Sequence, residues 1–338
     1  MDWAKVAIID AMAGVSPQRA AARYLTPIAN LPLICHVFDE VAATGISRAR
    51  VIADADVRPE LESVLTGGHP WGVEVSYANA QDGDGHRALL TELNGALDEG
   101  AVLVCPGDCL FPNQLGGMRD RFSAGDGEVV PLSCAVTRPE RNLADSDQPP
   151  GPVCDTVMVL APSAQRVVQK LLSSSENGPD LIKSMLASGC PSVVCEPAGW
   201  CYSDSTEALL TANRMMLDLL PVPAVEGSFG DRNRVYGRVT ISPEAQVSNC
   251  TLHGPTTIDD GALVEDSFLG PFTSIGPGAV ISGAEIDNTV VLARAEIRHP
   301  GSRIEASIIG ERASVVRSFE MPKGLHLRLG PDSQVTLS

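Results

Sequence analysis

The spacing of hydrophobic residues divides the chain into two parts that meet near residue 225. In the first part, short apolar runs alternate with segments whose apolar residues recur every three or four positions, as in a helix with one buried face. This alternation predicts a mostly parallel sheet with helices on both faces. The predicted strands are Lys5–Asp10, Ala49–Ala55, Val73–Asn79 and Ala101–Cys105, and the predicted helices are Leu31–Thr44, Pro59–Leu65 and His86–Leu97.

The alternation resumes after residues 138–152, a polar and proline-rich stretch that predicts a loop. A long helix from Ser205 to about Leu219 closes this part, and Pro221 and Pro223 mark a linker. The remaining predicted elements are the strands Val129–Val136, Thr156–Leu160 and Ser192–Glu196 and the helices Ser163–Leu172 and Pro179–Ala187.

Beyond the linker, apolar residues follow one another at intervals of five or six. This period is typical of the hexapeptide repeats of a left-handed β-helix, in which three steps make one triangular coil. Leu252, Leu269 and Ile286, each 17 residues after the last, should therefore be equivalent on successive coils. A β-sandwich would instead show strict two-residue alternation. We predict an α/β domain over residues 1–225 and a left-handed parallel β-helix over residues 226–338.

Glycines recur between the apolar residues of the second part, and we expect them to form its corners because glycine adopts positive φ without strain. They are Gly254, Gly261, Gly270, Gly276 and Gly283.

The charge balance is strongly acidic, with 42 acidic against 25 basic residues and a net charge of −17. Such a chain would repel a nucleic-acid backbone or an anionic membrane surface, so neither is an expected partner. Lysine is scarce, since Lys5, Lys170, Lys183 and Lys323 are the only four and arginine supplies the other basic positions.

The nine cysteines form no Cys-x-x-Cys pair. Neither a disulfide framework nor a zinc site is therefore predicted, and reduced thiols in the cytoplasm are expected. Met1 leads directly into an apolar strand without a basic segment, so no export signal is predicted. No apolar run reaches the roughly 18 residues that a membrane-spanning helix needs.

Ligands of parallel α/β sheets bind beyond the carboxyl ends of the strands. This rule directs attention to residues 10–17, 79–85 and 106–109. Asp108 stands there in a Pro-Gly-Asp turn after a buried strand. Two roles fit it, a metal ligand or a turn aspartate satisfied by neighbouring backbone amides.

An α/β domain followed by a short β-helix, with residues 268–276 (FLGPFTSIG) and 302–310 (SRIEASIIG), resembles the long form of glucose-1-phosphate thymidylyltransferase. The likeness is to members from actinobacterial antibiotic-sugar pathways and covers nearly the whole chain. Residues 25–34 (LTPIANLPLI) resemble the family's proline-spaced loop, Gly107-Asp108 its Gly-Asp-Asn, and residues 212–214 the end of its closing helix. The resemblance implies a Rossmann-like nucleotidyltransferase domain before the β-helix.

The family joins a nucleoside triphosphate to a sugar 1-phosphate and releases pyrophosphate. For this chain the resemblance implies Mg²⁺ as cofactor, held by Asp108 and Asp204, and it puts Arg23 in place of a phosphate-binding lysine. Asp108 and Arg23 are thus the catalytic candidates. Asp204 also stands where an N-cap of the following helix would be, since Asp commonly accepts from free helix amides.

The phosphate-binding and base-binding positions depart from the family pattern. Residues 11–16 keep one glycine of the triphosphate loop, Gly14, and no arginine, so Arg19 is the candidate that could supply charge from another direction. The base-binding glutamine falls on Ala80 or, with a one-residue shift, on Gln81, and Gly85 matches the glycine that follows. No lysine occurs between Lys5 and Lys170.

Two hypotheses follow, and they belong to different classes. The first is a divergent nucleotidyltransferase acting on a nucleoside triphosphate and a sugar phosphate. The second is a catalytically silent relative that serves as a binding, regulatory or assembly partner of an active homologue, and a homo-oligomer is open in either case. An acyltransferase, with His253 or His299 as base, is disfavoured because surface and corner positions are the commoner role for such histidines.

Overall fold

A six-stranded sheet forms the centre of the first domain. Its strands, in their order across the sheet, are Glu74–Ala80 (β5), Arg48–Asp54 (β4), Val6–Ala11 (β1), Val102–Pro106 (β6), Val157–Leu160 (β9) and Val129–Leu132 (β8). In this computed structural model the described residues are 3–12, 23–80, 85–123, 129–132, 157–173, 200–220, 224–225, 228–230 and 232–317. β1, β4, β5 and β6 pair in parallel, whereas β9 pairs antiparallel with β6 and β8. The mostly parallel sheet is therefore confirmed.

Helices cover both faces of this sheet, as predicted. Successive side chains of a strand point to opposite faces, so Ile9 packs in one apolar core and Ile8 in the other. Three helices, α1, α2 and α4, pack into the first core, and two helices, α3 and α5, pack into the second. These helices are Leu33–Ala43 (α1), Arg58–Leu65 (α2), Gly85–Leu97 (α3), Leu115–Ser123 (α4) and Gln165–Ser173 (α5).

The helix predicted to begin at Leu31 begins two residues later. Leu31–Pro32 is a short strand (β3) that pairs antiparallel with Pro27–Ile28 (β2). Proline disfavours the helical conformation in the residue before it, which keeps Leu31 extended. A β2–β3 hairpin therefore precedes α1.

A second antiparallel pair joins Cys109–Leu110 (β7) to Trp200–Cys201 (β10), directly before the helix Thr206–Leu217 (α6). The expectation of reduced cysteines is wrong at this pair, because Cys109 is disulfide-bonded. The residue opposite Cys109 across the two strands is Cys201. Strand pairing brings these positions together, and the sequence spacing of the cysteines gives no sign of it.

The second domain is a left-handed β-helix made of three sheets of short parallel strands. Leu252, Leu269 and Ile286 are in register on successive coils, as their spacing predicted. The first sheet contains Ala224–Val225 (β11), Val239–Ile241 (β14), Thr256–Ile258 (β17), Thr273–Ile275 (β20), Val290–Val291 (β23) and Ile308–Ile309 (β26). The second contains Ser228–Phe229 (β12), Gln246–Ser248 (β15), Leu263–Glu265 (β18), Val280–Ser282 (β21), Glu296–Arg298 (β24) and Ser314–Val316 (β27). The third contains Arg234–Tyr236 (β13), Thr251–His253 (β16), Phe268–Leu269 (β19), Glu285–Asp287 (β22) and Ile304–Glu305 (β25).

The corner glycines serve two different purposes. Gly261 has a φ of 68°, as expected for a corner. Gly254 is instead required by close approach, because a Cβ there would lie 2.0 Å from the backbone oxygen of Arg238. Other corners adopt positive φ without glycine, as at Asn249 (52°) and Asp266 (48°), where short polar side chains tolerate this conformation.

Several predicted elements lie outside the described residues, namely 133–136 of one strand, the 138–152 loop, the helix 179–187, the strand 192–196 and the linker prolines 221 and 223. Pairing within the β-helix begins at β11, just before residue 226. Among the described residues, no helix is both long enough and apolar enough to cross a bilayer.

Candidate active site

Two buried carboxylates meet at the carboxyl edge of the sheet. Asp10 lies near the end of β1 and Asp108 lies two residues after β6, and they are 1% and 2% exposed. The amide of Gly107 donates to the backbone oxygen of Asp10 at 2.7 Å, which holds the two strand ends together. The structure thus places Asp108 where the rule for parallel sheets predicts a ligand site.

Arg23 is the ionic partner of Asp108. Its Nε lies 2.9 Å from Oδ2 of Asp108, and its side chain is 16% exposed. A buried carboxylate is costly unless a cation or hydrogen-bond donors compensate for its lost hydration. The contact brings together the two catalytic candidates of the sequence, and it gives Asp108 a cationic neighbour in addition to its place in a turn.

Tyr24 lies against the same pair and is fully buried. Its hydroxyl has no hydrogen-bond partner among the described residues. Burial, and after it the carboxylates of Asp108 and Asp10, raise the pKa of Tyr24 well above its ordinary value. Tyr24 is therefore a neutral phenol beside two carboxylates and a guanidinium.

Tyr202 connects this pair to Asp204. Its amide donates to the backbone oxygen of Asp108 at 2.9 Å, and the guanidinium carbon of Arg23 lies 5.8 Å from the centre of its ring. The Tyr202 hydroxyl donates to the Asp204 carboxylate and accepts from the Thr26 hydroxyl. Burial first, and then the negative charge of Asp204, raise the pKa of Tyr202.

Asp204 itself is exposed and does not cap the helix that follows. Ser205 is the N-cap of α6, because its side chain accepts from the amide of Ala208 at 3.2 Å. The capping role considered for Asp204 therefore belongs to its neighbour. Asp204 points its carboxylate instead at the hydroxyl of Tyr202.

The arrangement does not fit the Mg²⁺ site that the resemblance implies. Mg²⁺ needs carboxylate oxygens open to it, whereas Oδ2 of Asp108 lies against a guanidinium that a metal ion would have to displace. No group of three or more His, Cys, Asp or Glu side chains suited to a metal occurs in the described part of the chain. The described residues therefore offer no completed metal site, and the Mg²⁺ requirement stays a prediction.

In the described part of the chain, none of the remaining candidate residues is seen beside Asp108 and Arg23. Gly14, Arg19 and Gln81 lie outside the described residues, and Gly85 begins α3. On the β-helix, His253 stacks between Tyr236 and Phe268, with ring centres 4.8 and 5.3 Å away. His299 occupies a corner with a φ of 45°. Both histidines thus have the surface and corner roles that the sequence favoured.

Sequence reasoning assigned no role to Asp10, Tyr24 or Tyr202. Asp10 carried the one available signal, a carboxylate inside an apolar run at a strand's carboxyl end. Tyr202 reaches the cluster through the pairing of β7 with β10, and Tyr24 packs near Asp108 and Asp10, which are distant from it in the sequence. No local pattern predicts either placement.

Three known proteins that are similar to this chain are all nucleotidyltransferases. No protein-family model matches the chain. It is 26% identical to a glucose-1-phosphate thymidylyltransferase of Streptomyces griseus and 25% identical to another of Streptomyces antibioticus, each over 94% of both chains. It is also 25% identical to a low-salt glycan biosynthesis nucleotidyltransferase of Haloferax volcanii, over 93% of this chain and 94% of the relative.

A solved structure supports the fold. A Bacillus anthracis protein assigned as a glucose-1-phosphate thymidylyltransferase, in complex with sucrose, superposes with a TM-score of 0.50 at 20% identity. The match covers 63% of this chain and 95% of that one.

Proposed function

Because the chain belongs to the glucose-1-phosphate thymidylyltransferase family, we propose that it is a sugar-1-phosphate nucleotidyltransferase. It would transfer a nucleotidyl group from a nucleoside triphosphate to a sugar 1-phosphate, or a related phosphate, and release pyrophosphate. The sugar phosphate oxygen attacks the α-phosphorus in line. Catalysis then consists mainly of positioning the two anions and of stabilising the negative charge of the transition state.

The ion pair between Arg23 and Asp108 carries this proposal. In a chain with a net charge of −17, it fixes a cation at the carboxyl edge of the sheet. The planar guanidinium has five N–H donors and suits phosphate oxygens. Asp108 orients Arg23 from the buried side, and the partly exposed guanidinium stabilises the charge that develops on the phosphate oxygens.

The same contact also favours a second candidate function, a catalytically silent relative that binds nucleotide sugars or an active homologue. A buried Asp108 paired with an arginine is a stable arrangement by itself. The sequence around it also lacks most glycines and all lysines of the family's phosphate contacts.

A pyrophosphate-release screen over the five common nucleoside triphosphates and several sugar 1-phosphates, with and without Mg²⁺, tests the proposal. Once a productive pair is found, Arg23→Gln should lower turnover by about 10²- to 10³-fold, the range for losing one donor to a developing anion. Asp108→Asn should lower it as well, because Arg23 loses its orienting charge.

Arg58→Gln is the matched control. Arg58 also contacts a carboxylate, with Nε 2.6 Å from Oε1 of Glu62, and its guanidinium carbon lies 5.3 Å from the ring centre of Tyr77. Turnover unchanged by Arg58→Gln but lost in Arg23→Gln supports the proposal, and equal losses contradict it. If no pair gives turnover, calorimetric titration with a nucleoside triphosphate distinguishes the binding role from a purely assembling one.

A further inference from the structure

Asn213 joins three elements that are far apart in the sequence. It lies near the end of α6 and is fully buried. Its Oδ1 accepts from the amide of Ala29 at 2.9 Å and from the hydroxyl of Ser274 at 2.7 Å, and its Nδ2 donates to the backbone oxygen of Phe272 at 3.2 Å. One amide group therefore ties the β2–β3 hairpin to the β-helix.

The hairpin needs such a contact because its turn is strained. Ala29 and Asn30 form its tip with φ of 49° and 70°. Two successive residues at positive φ are usual where glycine or asparagine fills the turn, whereas alanine adopts this conformation at a cost. The bond from Asn213 to the Ala29 amide compensates for that cost and fixes the tip.

The β-helix side of the junction contributes further contacts. Asn30 donates from Nδ2 to the backbone oxygen of Ile275 at 2.9 Å. Arg214 donates from Nε to Oδ1 of Asn288 at 2.7 Å, and its guanidinium carbon lies 5.9 Å from the ring centre of Phe272. The coils around residues 272–288 thus form the surface on which the hairpin rests.

The other end of the hairpin leads to the active-site cluster. Arg23 and Thr26 precede β2 in the same segment, and Thr26 donates to the hydroxyl of Tyr202. α1 holds the same segment through the amide of Leu33, which donates to the backbone oxygen of Thr26 at 3.0 Å. The hairpin and the segment that carries Arg23 are therefore joined in one hydrogen-bonded unit, anchored by Asn213 at the tip and by Leu33 and Tyr202 at the base.

We propose that Asn213 is a positioning residue, through which the β-helix holds the hairpin and sets Arg23 against Asp108. The inference rests on the proposed function for its effect on turnover, while the positioning itself does not depend on activity. The β-helix then contributes to the active site of the first domain without touching substrate.

Asn233→Ala is the matched control for Asn213→Ala. Asn233 makes the same kinds of bond within the β-helix, from Nδ2 to the backbone oxygen of Val247 at 2.7 Å and from the amide of Cys250 to Oδ1 at 2.7 Å. Both variants lose an amide that joins neighbouring segments, but Asn213→Ala alone should release the hairpin.

Amide hydrogen exchange measures the positioning directly. In Asn213→Ala, the amides of residues 26–33 should exchange about tenfold faster than in the wild type, since a buried bond to the Ala29 amide is lost. Asn233→Ala should leave their exchange rates within twofold of the wild type.

Ser274→Ala removes only the hydroxyl donor to Asn213 and should fold in any case. It should accelerate hairpin exchange less than Asn213→Ala does, with Ser267→Ala as its control. Equal acceleration of hairpin exchange in Asn213→Ala and Asn233→Ala, or no acceleration in Ser274→Ala, overturns the inference.

Turnover gives the second readout. Asn213→Ala should lower kcat about tenfold in the wild-type background but less than twofold when Arg23→Gln is already present, because both changes act through the same group. Additive losses would mean a merely structural role. If the wild type has no turnover, the proposed function fails and the exchange result alone decides the inference.

Discussion

The β-helix and the carboxyl edge of the sheet treat charged groups in opposite ways. Inside the β-helix, the repeating positions are apolar and fully buried, as at Leu252 and Leu269. Charged residues lie outside and pair between coils, as Arg303 does with Asp287. At the sheet edge, by contrast, two carboxylates and a tyrosine are buried together. Groups that are costly to bury persist where they have a function, so the difference supports a site at the sheet edge and a supporting role for the β-helix.

The largest expected effect breaks the repeat itself. Leu269→Ala should lower the free energy of unfolding by about 2–5 kcal/mol, because it leaves a cavity in a core that cannot collapse around it. Leu263→Ala, one strand earlier and only partly buried, is the control and should cost less than about 1 kcal/mol. Denaturant unfolding measures both. Equal losses would mean that the inward column of the repeat does not carry the stability of this domain.

The β-helix could be predicted closely because its structure repeats with the sequence. Each coil places its inward residue one period after the last, so the register of Leu252, Leu269 and Ile286 follows from counting alone. The corners were less predictable, since Asn249 and Asp266 adopt the positive φ that was expected of glycine. Asn and Asp also tolerate this conformation, so the positions of the glycines alone do not locate every corner.

Only part of the candidate active site, which contains Asp10, Arg23, Tyr24 and Asp108, could be predicted. Asp108 follows from its strand and Arg23 from the family resemblance, and the structure brings them into contact. The contacts of Tyr202 and Asn213 could not be predicted because their partners lie far away in the sequence, 184 residues away in the bond between Ala29 and Asn213. Periodicity reports which face of an element is buried, and it carries no information about which distant segment covers that face.

A smaller effect tests the buried polar cluster. Tyr24→Phe removes a buried hydroxyl that has no partner among the described residues, so the variant should be more stable than the wild type by about 1 kcal/mol at neutral pH. Tyr236→Phe, on an exposed ring of the β-helix, is the control and should change stability by less than about 0.5 kcal/mol. A loss of stability in Tyr24→Phe would show that the hydroxyl has a partner that stabilises the fold.

The pH dependence of that variant sharpens the comparison. The pKa of Tyr24 is raised in the folded protein, first by burial and then by Asp108 and Asp10. The unfolded chain therefore releases this proton at a lower pH than the folded protein does. The stability linked to Tyr24 is complete below about pH 10 and is lost as the pH rises from there towards the folded pKa. Denaturant unfolding from pH 8 to 11 should show the advantage of Tyr24→Phe growing above pH 10, and a constant difference would contradict the raised pKa.

The smallest effect compares one strained alanine from each region. Ala29 in the hairpin and Ala306 at a β-helix corner have φ of 49° and 48°. Glycine relieves about 1–2 kcal/mol of strain at such a position and loses about 0.5–1 kcal/mol to the greater freedom of the unfolded chain. Both Ala29→Gly and Ala306→Gly should therefore raise the free energy of unfolding by roughly 0.5–1 kcal/mol. They should differ in hydrogen exchange of residues 26–33, which only Ala29→Gly should slow, because relief of strain at the tip stabilises the hairpin against local opening. If both variants leave that exchange unchanged, the junction with the β-helix fixes the hairpin whatever residue stands at its tip.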